Sequence, residues 1–364
     1  MLNASPADEP PVTSRVTLYR RFERLQDPSE ALKILRCYLP SCPARVQAVC
    51  TPQKYYRRDD GREDRFIVRV DTATTTGQRD AFVFKGYADD RGQQIMHAFH
   101  AMAPCPECPP DTCPVSRPLA YVPQERLLIS RWTPGPTVWA HLERGDTAVL
   151  ARIPSALTHL YRAPVRPEAT TSAWTLLDEA LRRCAMVCTR WPAATTTLHP
   201  LMAALQEGLP FLDPTPAALV HGDLKPEHCL WNGRHVTLID LDSFCYTDPA
   251  YDAGRLLARV HRQCLHHPAL MPRVQQILAT FRTTFLSAVP TVSARNIAFY
   301  YALQYAREIC RDLCSVQVRE DWPRVIASYA HYAMSALQTD VWPDGERRSS
   351  TPRFARTWAA AAAS

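Results

Sequence analysis

The sequence predicts an α+β fold of two unequal lobes, and three observations carry that reading. Short β-branched and aromatic runs cluster before residue 133. Helical periodicities dominate after Pro134-Gly135, and one compact strand-like stretch at 218–244 interrupts them. The expected limits are 15–133 for a small N-terminal lobe with an antiparallel sheet and 134–342 for a larger helical lobe. Polar or Ala-rich tails at 1–14 and 343–364 are expected to be disordered.

The N-terminal elements follow in order. Leu18, Phe22 and Leu25, then Ala31, Leu32, Ile34 and Leu35, keep helical spacing over 16–38, around a turn at Asp27-Pro28. Strand-like runs come next at Val46–Cys50, Phe66–Asp71 and Ala81–Tyr87. A short helix follows at 93–102, with Ile95, Phe99 and Met102 on one face. Two more strands are expected at 118–122 and 126–132. Beyond residue 135 the helical patterns fall at 136–144, 146–162, 172–190, 197–208, 251–266, 271–287, 293–314 and 322–338, and the strand-like interruption reads as one embedded hairpin.

Composition narrows the function classes. The 364 residues are 46% apolar and 21% charged, as in soluble globular proteins. No run of eighteen apolar residues is present, so no membrane-spanning helix is expected. Met1 to Pro11 is acidic and Pro-rich, unlike a secretory signal. The thirteen cysteines therefore read as reduced thiols and the location as cytoplasmic. A net charge of +6 without a Lys/Arg-rich run gives no case for a nucleic-acid partner, and nothing in the sequence sets the oligomeric state. Of the 42 basic residues only Lys33, Lys54, Lys85 and Lys225 are lysines. A lysine kept against such a bias is a candidate for work that needs a compact point charge.

The chemistry concentrates in 219–255, LVHGDLKPEHCLWNGRHVTLIDLDSFCYTDPAYDAGR. Two apolar runs, 217–220 and 236–239, lead into turns that carry Asp223 and Asp240. Converging carboxylates of this kind can hold a divalent cation and orient a nucleophile. Phosphoryl transfer asks for little else, because its transition state is positioned and neutralised rather than attacked by side chains. Mg²⁺ is commonly held by one or two carboxylates plus substrate phosphates, which Asp240 and Asp242 can supply.

His221-Gly222-Asp223-Leu224-Lys225-Pro226-Glu227 resembles the catalytic loop of aminoglycoside phosphotransferases and choline kinases, and the matching loop of protein kinases. Ile239-Asp240-Leu241-Asp242 resembles their metal-binding motif, and Asp248-Pro249-Ala250-Tyr251-Asp252 the segment that follows it in small-molecule members. The resemblance implies a protein-kinase-like fold and ATP-dependent transfer of the γ-phosphate to a small-molecule hydroxyl, with Mg²⁺ or Mn²⁺. It implies Asp223 as the residue that orients the hydroxyl and takes its proton, Lys225 on the transferring phosphate, Asp240 on the metal and Asp242 assisting. It implies a structural His221 and an Asp252 that braces the loop; as the opening residue of a helix, Asp252 is equally explained by the helix dipole. In the sheet lobe it implies Lys85 on the nucleotide phosphates and Ser130, Arg131 and Trp132 in the hinge beside adenine. The short interval from Asp240 to Asp248 leaves no room for a protein-kinase activation segment.

Three departures keep a nucleotide-binding but inactive scaffold open as the alternative. His228 stands where the family carries a metal-binding Asn. It is readable as a nucleotide-phosphate donor, a metal ligand or a tolerated replacement. No Glu follows Lys85 before Pro106, and Gln93 and Gln94 are the nearest substitutes. No Gly-rich phosphate loop is visible, Gly61 being alone in the first hairpin.

Two other groupings remain. Cys105, Cys108 and Cys113, near His97 and His100, read as a zinc knuckle or a cysteine-bearing loop. Cys184/Cys188 and Cys310/Cys314 read as helix packing. Tyr301, Tyr305, Glu308 and Asp312 share helical spacing, either as core and solvated charge or as a site for a cationic acceptor.

Overall fold

The computed structural model describes residues 17–39, 46–57, 62–101, 114–167, 170–314 and 321–338. Gly61, the Cys105/Cys108/Cys113 segment and both expected tails lie outside them. The described residues divide into two compact units. One runs to His100 and adds Arg117–Trp132; the other takes Ala101–Ser116 and everything from Thr133 onward.

The N-terminal unit opens with α1 (Leu18–Arg24) and α2 (Pro28–Tyr38). They break at the expected turn because Asp27 caps α2, accepting from the Ser29 N–H, and Pro28 sits in its first turn. The sheet comprises β1 (Val46–Arg57), β2 (Glu63–Thr74), β3 (Arg79–Tyr87), β4 (Pro118–Val122) and β5 (Leu127–Arg131). It runs in the order β1-β2-β3-β5-β4, antiparallel throughout, with α3 (Arg91–Ala101) between β3 and β4. β1 and β2 extend well beyond their apolar runs. Ladder pairing reaches Arg57↔Glu63 and carries polar residues that propensity alone leaves as loop. Alternation along β2 buries Phe66, Val68 and Val70. These pack with Phe84, Leu18 and Leu35 in one core, each such side chain contributing about 1.5–3 kcal/mol.

The C-terminal unit contains α4 (Val138–Glu143), α5 (Ile153–Tyr161), α6 (Ala173–Arg190), α7 (Thr195–Gly208), α8 (Ala250–Leu265), α9 (Val274–Ala288), α10 (Ala294–Cys314) and α11 (Trp322–Gln338). The expected helices at 146–162 and 271–287 each begin instead as a 3-10 turn, Ala148–Arg152 and Met271–Arg273. Pro154 and Pro272 account for this, since proline has no N–H to continue the ladder. The interruption at 218–247 is two ladders rather than one hairpin. β7 (Cys229–Trp231) and β8 (Val236–Leu238) form the hairpin, while β6 (Ala218–Val220) pairs with β9 (Cys245–Thr247). Both ladders are needed to set the site, because they hold the two acid-bearing turns side by side.

Candidate active site

The loop after β6 is shaped by backbone that only particular residues adopt. Gly222 has φ +75°, and a Cβ there would lie 1.9 Å from the Ser243 carbonyl oxygen. Asp240, after β8, also has positive φ, at 63°, a conformation Asp tolerates better than most residues. The loop is tied down from α8. The fully buried Asp252 carboxylate accepts from the N–H groups of His221 (2.8 Å) and Gly222 (3.0 Å), and from the Tyr161 hydroxyl at 3.3 Å. The brace expected of Asp252 is therefore present. Burial raises its pKa to about 6 against the pull of those donors.

His221 is fully buried between the two turns. Its Nε2 lies 2.9 Å from the Ile239 carbonyl and its Nδ1 3.4 Å from the Asp223 N–H. Burial lowers its pKa to about 4, so the ring is neutral at pH 7 and acts as a spacer. Asp223 projects from the loop. Its Oδ1 accepts from Arg255 Nη2, and Lys225 Nζ stands 3.5 Å from Oδ2. Burial opposes its charge, yet Arg255, Lys225 and His228 together hold the carboxyl well below the usual range.

His228, buried, stacks on His221 with ring centroids 5.6 Å apart. Its Nδ1 lies 3.0 Å from the Asp223 main-chain carbonyl, and its Nε2 3.1 Å from Asp240 Oδ2. Asp223, His228 and Asp240 offer ligand atoms that all lie within 4.8 Å of one another. That donor set, two carboxylates and an imidazole, fits a divalent cation. Asp242, half-buried two residues on, is outside this group.

Arg255 is the site residue that sequence reasoning missed. It lies on α8 one turn after Asp252 and also contacts Gln304 Oε1 at 3.2 Å. The available signal was the i,i+3 spacing from Asp252, which places both on one helix face toward the loop.

The remaining site candidates belong to the N-terminal unit. Lys85 is half-buried on β3, opposite Ile67 and Leu128. Gln93 and Gln94 on α3 are exposed. On β5, Ser130 pairs with Val83. Arg131 is exposed and bonds Asp80 at 3.0 Å, and the Trp132 ring is covered by the Arg69 guanidinium at 4.3 Å. The lysine bias is informative only in part. Lys33 and Lys54 are exposed, whereas Lys85 and Lys225 are half-buried.

The α10 grouping resolves as core. Tyr301 and Tyr305 are buried. Glu308, 2% exposed, accepts from Arg259, Arg262 and Arg311, and Arg262 also bonds Asp312 at 2.8 Å. These carboxylates are neutralised internally and are not available to a cationic acceptor. Cys184 and Cys310 are buried and Cys188 half-buried, as expected of packing, while Cys314 is exposed.

The chain resembles a choline/ethanolamine kinase family protein from Mesorhizobium loti at 14% identity, with TM-score 0.55 over 88% of this chain and 94% of that one. It resembles choline kinase from Cryptosporidium parvum at 10% identity, with TM-score 0.57 over 85% and 96%. It also resembles a spectinomycin phosphotransferase solved with ADP and spectinomycin, at 10% identity, with TM-score 0.52 over 85% and 98%. At such identities the likeness is one of fold, the two-lobed kinase-like fold expected from the sequence. No curated protein sequence matches the chain. No helix among the described residues is long and apolar enough to cross a membrane. The model of the phosphotransferase enzyme family matches residues 45–279, well over half of the chain and the whole of the loop just described, and the chain belongs to that family.

Proposed function

We propose that the protein transfers the γ-phosphate of ATP to a hydroxyl of a small molecule, in the cytoplasm. The observation that carries this reading is the convergence of Asp223 and Asp240 on one donor group, on a loop locked by Asp252. Asp223 orients the acceptor hydroxyl. Arg255 and Lys225 keep it ionised at neutral pH, which makes it a weak base and a good hydrogen-bond acceptor. A loose phosphoryl-transfer transition state needs positioning more than strong proton abstraction. Lys225 lies beside Asp223, and in this reading it meets the phosphoryl oxygens as they turn negative. Asp240 holds the divalent cation, Mg²⁺ or Mn²⁺, with Asp242 supporting it. When bound, that ion neutralises the nucleotide phosphates. Lys85 meets the nucleotide phosphates, and Ser130, Arg131 and Trp132 flank the base.

The test is ATP consumption with either metal against a library of hydroxylated small molecules, for the wild type and Asp223→Asn. Turnover that the substitution abolishes supports phosphotransfer. Nucleotide-dependent thermal stabilisation without turnover supports the scaffold reading instead, which His228 and the exposed Gln93 and Gln94 favour.

A further inference from the structure

We propose that His228 is a direct nitrogen ligand of the divalent cation, and that this makes the site selective for imidazole-accepting ions, Mn²⁺ in particular, over Mg²⁺. The inference rests on the phosphotransfer reading for its purpose, but its geometry stands alone.

His228 has no rotational freedom to spare. The ring is buried, stacked on His221 at an interplanar angle of 15°, and anchored through Nδ1 to the Asp223 carbonyl oxygen at 3.0 Å. A carbonyl oxygen can only accept, so Nδ1 carries the proton of that bond. That bond turns Nε2, the ring's other nitrogen, toward Asp240, 3.1 Å from its Oδ2. A cation can be held by both atoms, and the Asp223 carboxylate completes the group of donors within 4.8 Å.

The supporting bonds have the form that metal-bound imidazoles adopt. The non-ligating N–H donates to a main-chain carbonyl, which fixes the tautomer and turns the other nitrogen toward the metal. Here the carbonyl belongs to Asp223, so the same residue that orients the acceptor also sets the ring of the ligand.

Ligand chemistry sets the selectivity. Mg²⁺ demands oxygen donors and sheds its water reluctantly. Imidazole suits transition-metal ions, and affinity rises from Mn²⁺ along the first row. Replacing an amide oxygen by imidazole at this position therefore changes the preferred ion rather than abolishing the site. That reading turns the departure at His228 from a mark of inactivity into a mark of metal choice.

The experiment uses the full chain and Mn²⁺ alone, with neither nucleotide nor acceptor, so its outcome is separate from any turnover assay. Bound Mn²⁺ is measured by electron paramagnetic resonance, and its ligand nitrogen by electron spin echo modulation. The expected wild-type result is bound Mn²⁺ with a ¹⁴N coupling, displaced by Mg²⁺ only at about tenfold or greater excess. His228→Asn is expected to lose the ¹⁴N coupling and to bring the Mn²⁺/Mg²⁺ preference down by about tenfold, close to parity. Asp240→Asn is expected to lose the bound ion. Bound Mn²⁺ without nitrogen coupling in the wild type overturns the proposal. So does displacement by equal Mg²⁺, or no binding at millimolar Mn²⁺, in which case a proton joins His228 to Asp240. The wild-type spectrum decides the ligation even where a variant fails to fold.

Discussion

In the N-terminal unit the candidates Lys85, Ser130 and Arg131 sit on regular strands, at ladder positions that many sequences could fill. In the C-terminal unit they sit on backbone that no regular strand supplies, at Gly222 and Asp240 with positive φ. Lys85 owes its place to β3 register, Asp223 to a buried carboxylate thirty residues on that holds two loop N–H groups. The contrast teaches where each region is vulnerable. The sheet tolerates local repacking, whereas the loop depends on single atoms.

Two glycines break or sharpen that comparison most strongly. Gly222→Ala would put a methyl 1.9 Å from a main-chain oxygen at positive φ, so the loop must move. Turnover is expected to fall by about 10²-fold or more, since small misplacements of reacting groups cost that much. Gly86→Ala meets the buried Phe66 ring first, at 2.2 Å, a core side chain rather than main chain. It is expected to cost about 1–3 kcal/mol in urea unfolding while leaving turnover within severalfold. Equal losses of activity would erase the distinction.

Next in size is Glu308→Ala, which takes the buried carboxylate from Arg259 and leaves Arg262 and Arg311 only their contacts with Asp312. Leaving buried charge uncompensated costs about 3–5 kcal/mol, measurable by denaturant unfolding. A loss below about 1 kcal/mol would mean that the arginines reach water instead.

A smaller effect is the pH dependence of stability. His221 and His261 are each lowered to about 4 from 6.5, chiefly by burial. Between those values the unfolded chain binds their protons and the folded chain does not, so stability rises with pH. Asp252 is raised from 3.8 to about 6, so over that interval the folded chain holds a proton that the unfolded chain has released, and stability falls with pH. Two protons against one leave a net slope of about 1.4 kcal/mol per pH unit, rising with pH, between about 4 and 6. Asp252→Asn removes the opposing proton and is expected to roughly double that slope. An unchanged slope would place the titration elsewhere. Smallest of all, Lys33→Ala breaks an exposed pair with Glu30 and should leave the urea unfolding midpoint essentially unchanged.

Much of this was legible in the sequence. The break at Asp27-Pro28, the helices from α6 to α11 and the acid-bearing turns follow from periodicity, caps and the motif at 221–252. The β6–β9 ladder was not, because three-residue strands carry no period and their partners lie more than twenty residues apart. Arg255 was missed for a related reason: its ion pair with Asp223 spans 32 positions and is created by α8 folding back on the loop. The α10 carboxylates were ambiguous because periodicity names a face without naming what faces it; the arginines of α8 decided the matter.

The most direct test of the account compares turnover with nucleotide binding in Asp223→Asn. The account predicts a loss of phosphoryl transfer of about 10²–10⁴-fold with nucleotide binding retained. Transfer that persists at wild-type rates in this variant would contradict it.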